Sequence, residues 1–233
     1  MMRLRIAAIL ACAMFQGFVY GEVRIKSLNG TVRVRRGLEE TWSRAGAGMR
    51  LEDIDTILTE EASRVVLELE GGTTFTMGGH SILDVSDLRC ITERELFLYL
   101  MSQKVSRIER KDGTPLRIQN VNVARAERKT VDSEEVVSSV EPRMREWEIN
   151  GAHALYTQRF FTNAIVKFHK ILDKYPDADE AGRLYYFLGS SFEAIEESGR
   201  AIDAYQEVVA RAGEEGTEEY VDLSKDALQR LKE

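Results

Sequence analysis

The feature that most constrains this chain is a repetition. Five positions recur with identical spacing 37 residues apart: Ala152, Leu155, Ala164, Phe168 and Ile171, then Gly189, Phe192, Ala201, Tyr205 and Val208. Each set follows the helical period over two successive segments, so each predicts a pair of helices. Ala152 and Gly189 are small where a first helix must come close to its partner. Ala164 and Ala201 are small on the partner helix, and Phe168 and Tyr205 fill the wider gap one turn on. Helices are expected over 143–158, 161–174, 180–196 and 199–212. A fifth, over 217–232, carries Tyr220, Val221, Leu223, Ala227, Leu228 and Leu231 along one stripe. Two units alone leave end faces uncovered, so the fifth helix is expected to cap one of them. An ordinary pair of helical hairpins with small residues at its crossings is the plainer alternative.

Upstream the period changes to two. Val23-Arg24-Ile25-Lys26 and Thr31-Val32-Arg33-Val34-Arg35 alternate apolar with charged residues, as half-buried strands do, and Asn29-Gly30 between them is a turn signal. Val65, Leu67 and Leu69 alternate before Gly71-Gly72, and Phe75 and Met77 after it, which predicts a β-hairpin. Ser81–Val85, Leu96–Ile108 and Thr114–Ala124 are expected to be further strands. Many short strands separated by turns imply a sandwich or roll. The expected fold is therefore a two-domain one: an all-β module over 22–126 and an all-α module over 142–233. Between them, residues 127–141 are charged and Ser-bearing without an aromatic, and read as a solvated linker, with a short helical piece within it as the alternative. Pro142 is placed at the first turn of the next helix, where its missing N–H costs nothing.

The formal net charge is -7, and residues 22–126 are balanced, so the acidity belongs to the helical part. An acidic chain lacks the basic face that phosphates require, which excludes general nucleic-acid binding. Catalysis has little material. His80, His153 and His169 are scattered, and no metal-, nucleophile- or phosphate-binding spacing occurs. Glu52, Asp53 and Asp55 read as a turn before a strand rather than a Ca²⁺ loop. Val34-Arg35-Arg36 reads as a solvated strand edge rather than a basic patch. Gly78-Gly79-His80 reads as a turn. No enzyme, cofactor or metal is expected.

Residues 1–21 carry Arg3 and Arg5, an apolar run from Ile6 to about Val19, and Val19 and Gly21 at the positions a signal peptidase favours. A secretory signal peptide cut after Gly21 is expected, with an uncleaved anchor, or lipidation at Cys12, as alternatives. The run is short for a membrane span, and Gln16 interrupts it. Cleavage would leave Cys90 alone, unable to form an intramolecular disulfide. Cys90 is expected to be a buried or half-buried packing residue, with a reactive thiol as the alternative.

The repeated pattern, A-x2-L-x8-A-x3-F-x2-I closed by Tyr175-Pro176 and then G-x2-F-x8-A-x3-Y-x2-V, resembles the tetratricopeptide repeat. Its second unit ends in Ala212-Gly213, and its period is longer than that family's usual ~34 residues. The order Gly30-Thr31-Val32, Gly48-Met49-Arg50-Leu51, Asp55-Thr56-Ile57-Leu58-Thr59, then Gly71-Gly72-Thr73, is similar to the FecR-type periplasmic domain. That family's transmembrane signalling role is not carried over, because the chain shows neither its cytoplasmic segment nor its central span. What the two resemblances imply is a non-catalytic scaffold of the periplasm or cell envelope. A tetratricopeptide array presents the first helix of each pair on its concave side. Here that side would hold His153, Tyr156 and Thr157 from the first unit and Arg183, Tyr186, Ser190 and Glu193 from the second, gripping a partner protein or peptide. The plainer alternative is that Tyr156 and Tyr186 only pack between helices. The β module would dock to the envelope, with peptidoglycan as the alternative ligand; self-association is a further expected contact.

Overall fold

The computed structural model describes residues 23–107, 134–176, 179–214 and 216–232. The expected signal peptide, the expected strand Thr114–Ala124 and residues 127–133 of the expected linker lie outside the described residues. The chain forms an antiparallel β region followed by a helical region, and it divides into two compact units: residues 1–79 with 84–89, and residues 80–83 with 90–233.

The β region contains β1 (Val23–Asn29), β2 (Val32–Arg35), β3 (Trp42–Arg44), β4 (Arg50–Leu51), β5 (Thr56–Thr59), β6 (Arg64–Glu68), β7 (Thr74–Met77) and β8 (Ser81–Asp84). They form two four-stranded sheets, ordered β4-β1-β6-β7 and β3-β2-β5-β8. Alternation decides what β1, β2, β6 and β7 bury, whereas β5 is buried at all four positions and β8 at its first three. Ile25, Val65, Leu67, Phe75 and Met77 are buried from the first sheet, and Val32, Val34 and Ile57 from the second. The β6–β7 hairpin forms as the sequence predicts, with Val65 opposite Met77 and Leu67 opposite Phe75.

Asn29-Gly30 turns the chain, but it hands it from one sheet to the other rather than closing a hairpin. Gly30 is required there twice over. Its φ is +78°, and a Cβ would lie 2.5 Å from the Ser63 Oγ. That same hydroxyl accepts the Thr31 N–H at 2.8 Å. The expectation of a strand edge at Val34-Arg35-Arg36 is corrected: β2 pairs with β3 on one side and β5 on the other. Arg35 instead donates to Thr56 Oγ1 and lies over the Trp42 ring.

The helices are α1 (Glu93–Arg107), α2 (Glu134–Thr157), α3 (Phe161–Lys174), α4 (Ala181–Ala194), α5 (Ser198–Ala210) and α6 (Glu218–Arg230). Two corrections concern where they begin. The expected strand Leu96–Ile108 falls on a helix as far as Arg107, where the described residues end. Thr92 and Glu95 form a reciprocal capping box: Thr92 N–H donates to Glu95 Oε2 at 2.9 Å, and Glu95 N–H donates to Thr92 Oγ1 at 3.3 Å. Leu96 and Leu100, one turn apart, are then buried on one face. The expected linker is also shortened, because α2 starts at Glu134, which places Pro142 inside the helix rather than at its first turn. A Pro there removes one backbone hydrogen bond, so packing further along must sustain α2. Cys90 is exposed, not buried. It lies in the short connection between β8 and α1.

Successive helices from α2 to α6 pack against one another, and α2 also meets α4, and α4 meets α6. Thus α2, α4 and α6 form one layer. The small repeat positions are where the pattern places them: Ala152, Ala164 and Ala201 have no exposed surface, and Gly189 is buried. Gly189 differs in what it admits. A Cβ there would lie 2.8 Å from Cε1 of the Tyr205 ring, so this glycine makes room for a side chain rather than for a backbone. In α6, Leu223 leaves the expected stripe and is 41% exposed.

The repetition extends to the backbone. Arg159 and Glu196, 37 positions apart, both adopt left-handed conformations with φ of 66° and 65°. Phe160 N–H bonds Leu155 O, and Glu197 N–H bonds Phe192 O, each at 2.9 Å. Both first helices therefore end in the same Schellman-type turn, although neither left-handed residue is the usual Gly or Asn. Among the described residues no helix is long and apolar enough to cross a membrane.

Candidate binding face

Within the helical unit, the layer of α2, α4 and α6 brings six of the seven expected binding residues onto one continuous surface. Phe187 is its centre. The His153, Tyr156 and Tyr186 rings lie 4.8, 5.0 and 5.4 Å from it. Tyr220 of α6 extends the row, 5.2 Å from Tyr186 and 5.9 Å from Phe187. Arg183 lies over the Phe187 ring at 6.0 Å. Thr157 is exposed at the end of α2, its hydroxyl turned back to Ala154 O.

Polar groups on this face are already partly committed. Tyr156 Oη and Ser190 Oγ are 2.9 Å apart. The buried Tyr205 hydroxyl donates to Glu193 Oε2 at 2.9 Å, and Arg230 donates to Glu193 Oε1 at 3.0 Å. Burial, reinforced by this bond to a carboxylate, pushes the Tyr205 phenol well above its ordinary range. Burial, together with the Tyr156 phenol, also raises Tyr186. Desolvation first, and the neighbouring Arg183 guanidinium second, hold His153 below its ordinary 6.5, so it is neutral at pH 7. Arg183 is different. Among the described residues its guanidinium makes no hydrogen bond or ion pair, and its Nε is buried without an acceptor. A half-buried, aromatic-backed cation with unspent donors suits an acidic or carbonyl-bearing ligand. A hollow of about 480 Å³ continues the face, lined in part by Tyr186, Ser190, Glu193, Leu223 and Arg230.

The expected residues thus come together on one surface, but the composition of that surface differs from the expectation. Phe187, Tyr220 and Arg230 belong to it and were not read from the sequence. Arg183 and Phe187 stand four apart on α4, which was the available signal. Tyr220 and Arg230 depend on how α6 folds back. Tyr156 and Tyr186 are half-buried and pack on Phe187 as well as lining the surface, so packing and exposure coexist in them.

The β unit has its own candidate. Leu38 is wholly exposed and Ile54 is 67% exposed, on the loops after β2 and β4. The loops are pinned by Asp55, which is 2% exposed. Its carboxylate accepts the Arg36 guanidinium, Gly37 N–H at 3.1 Å and Glu52 N–H at 2.9 Å. The expected turn at Glu52–Asp55 is therefore built by Asp55, and it holds two apolar side chains outward on a stiff support.

Among the described residues no cluster of three or more His, Cys, Asp or Glu side chains could hold a metal ion. Compared with family models, curated proteins and solved structures, the chain matches none.

Proposed function

We propose that this chain is a non-catalytic scaffold of the cell envelope that grips a peptide or protein segment on the α2–α4–α6 face, and docks through its β module. One observation carries the reading. Six aromatic or cationic side chains from three helices, His153, Tyr156, Arg183, Tyr186, Phe187 and Tyr220, meet on one surface, and one of them, Arg183, has donors to spare. Aromatic and Arg side chains dominate binding energy at protein interfaces, and a rigid layer of helices avoids ordering costs on binding. The duplicated turn at Arg159 and Glu196 supports kinship of the two helical pairs, as in tetratricopeptide repeats. The Asp55-centred turn and the two sheets support the FecR-type reading of the β module. Its exposed Leu38 and Ile54 are the side chains for docking.

The test uses the full chain with affinity capture from envelope fractions of the native cell. Arg183→Glu should abolish capture while circular dichroism stays unchanged, because the guanidinium supports no other residue by hydrogen bond. Truncating Tyr156 and Tyr186 as well would loosen the Phe187 cluster, so those variants are read only beside melting curves. Capture undiminished in Arg183→Glu refutes the face. Capture that survives protease but not a glycan hydrolase would replace the peptide with cell wall.

A further inference from the structure

A second cavity, of about 670 Å³, lies elsewhere in the helical unit, bounded by α1, α3, α4 and α5. On α4 it uses Tyr185, Leu188 and Phe192, whereas the binding face uses Arg183, Tyr186, Phe187 and Ser190. At 100° per residue those two sets point to opposite sides of the helix. The floor is apolar, with Leu100, Leu188, Phe192 and Ala204. It runs out onto α1, where Phe97, Leu98 and Met101 are 55%, 56% and 39% exposed. These three occupy one arc of the helix beside the buried Leu96 and Leu100. An exposed apolar strip leading into a groove is the pattern of a docking site rather than of idle surface.

The rim decides what would dock. Three carboxylates, Glu197, Asp203 and Glu207, stand there against one guanidinium, Arg200. Arg200 pairs with Glu197 at 3.6 Å, and Arg211 beyond the rim reaches Glu207 at 3.8 Å. Asp203 is exposed and has no partner among the described residues. We infer that this groove is a second docking site, for a cationic amphipathic segment of another protein. Its apolar side chains would cover the exposed Phe97 and Met101 above the buried Leu188 and Phe192 of the floor, and its Lys or Arg would meet Asp203 and Glu207. An acidic or neutral apolar segment would bring like charge, or none, to that rim.

The probe is a synthetic peptide of about 14 residues, four helical turns, built from Leu and Lys, against the full chain. Two comparison peptides replace Lys by Glu, or Leu by Ser. Fluorescence anisotropy should show saturable binding of the Leu/Lys peptide alone. Asp203→Lys with Glu207→Lys, and separately Met101→Glu, should each weaken it about tenfold or more. All three sites are exposed enough for these variants to fold. Glu146→Lys with Glu219→Lys changes the net charge equally, away from the groove, and should leave binding within about twofold. The inference is overturned by no saturable binding, by equal binding of the Glu or Ser peptide, by groove variants that bind like the parent, or by a control pair that weakens binding as much. Because α4's other side is untouched, failure here leaves the Arg183 face standing, and the reverse holds.

Discussion

Replacing Gly189 by Ala should destabilise the helical unit, although Ala is the better helix former. In an open helix interior the change gains about 1 kcal/mol. Here the new methyl would lie 2.8 Å from Tyr205 Cε1, 2.9 Å from Cδ1 and 3.1 Å from Cζ. Carbon atoms prefer about 3.5–4.0 Å, so the ring must retreat by roughly 0.7 Å. It has little room to do so. Tyr205 is 2% exposed, and its hydroxyl is tied to Glu193 at 2.9 Å. Overpacking of this kind costs roughly 2–3 kcal/mol, which outweighs the helix gain and leaves a net loss of about 1–2 kcal/mol. The decisive form is a double-mutant cycle with Tyr205→Leu. Without the ring, Gly189→Ala should become neutral or stabilising by up to about 1 kcal/mol, so the effect changes sign. Urea unfolding of all four proteins, followed by helical circular dichroism, measures this. Gly189→Ala that raises stability in the parent chain would refute the argument that Gly189 exists to admit Tyr205.

Arg159→Gly and Glu196→Gly should each stabilise the helical unit by up to about 1 kcal/mol, since both residues sit at left-handed φ where only Gly is unstrained; equal or lower urea midpoints would contradict it. Asp55→Ala should destabilise the β unit by roughly 3 kcal/mol, because three donors lose their acceptor at a site 2% exposed, and near-ultraviolet circular dichroism of Trp42 reads the loss. His153 gives a pH signature. Its folded value lies below the ordinary 6.5, so its neutral-state contribution is complete above pH 6.5 and declines as pH falls, when the unfolded chain takes the proton first. The helical melting temperature should therefore drop between pH 7 and 5 more in the parent than in His153→Phe; identical slopes would contradict it. Cys90, being exposed, should react with a maleimide in the native state at nearly the rate of the unfolded chain.

The elements that sequence revealed are those whose side chains have only local or periodic reasons. Val65, Leu67, Phe75 and Met77 alternate because one face of a hairpin is buried, and that pattern survives in any context. Ala152, Ala164, Gly189 and Ala201 are small because a neighbour presses on each, so the helical pairs could be read from spacing alone. Residues 96–108 misled because Leu-Phe-Leu-Tyr-Leu-Met is a continuous apolar run, which periodicity alone does not assign to helix or strand. The Thr92-x-x-Glu95 box ahead of it carried the correct information. Pro142 misled in the other direction, since a helix usually starts at such a residue and α2 instead runs through it. The clustering of His153, Tyr156, Arg183, Tyr186, Ser190 and Glu193 on one candidate face was legible, since they share a helical period. Tyr220 and Arg230 were not, since their place on the face depends on how α6 packs against α4, a tertiary fact without a local signature.

The most direct measurement of the central claim is site-specific photo-cross-linking in the native cell. A benzophenone side chain is placed at Thr157, exposed at the end of α2 one residue beyond Tyr156 of the face, or at Lys225, exposed on α6. The account predicts one discrete adduct from position 157, lost when Arg183→Glu is added, and none from position 225. The same adducts from both positions, or an adduct at 157 that persists with Arg183→Glu, would contradict it.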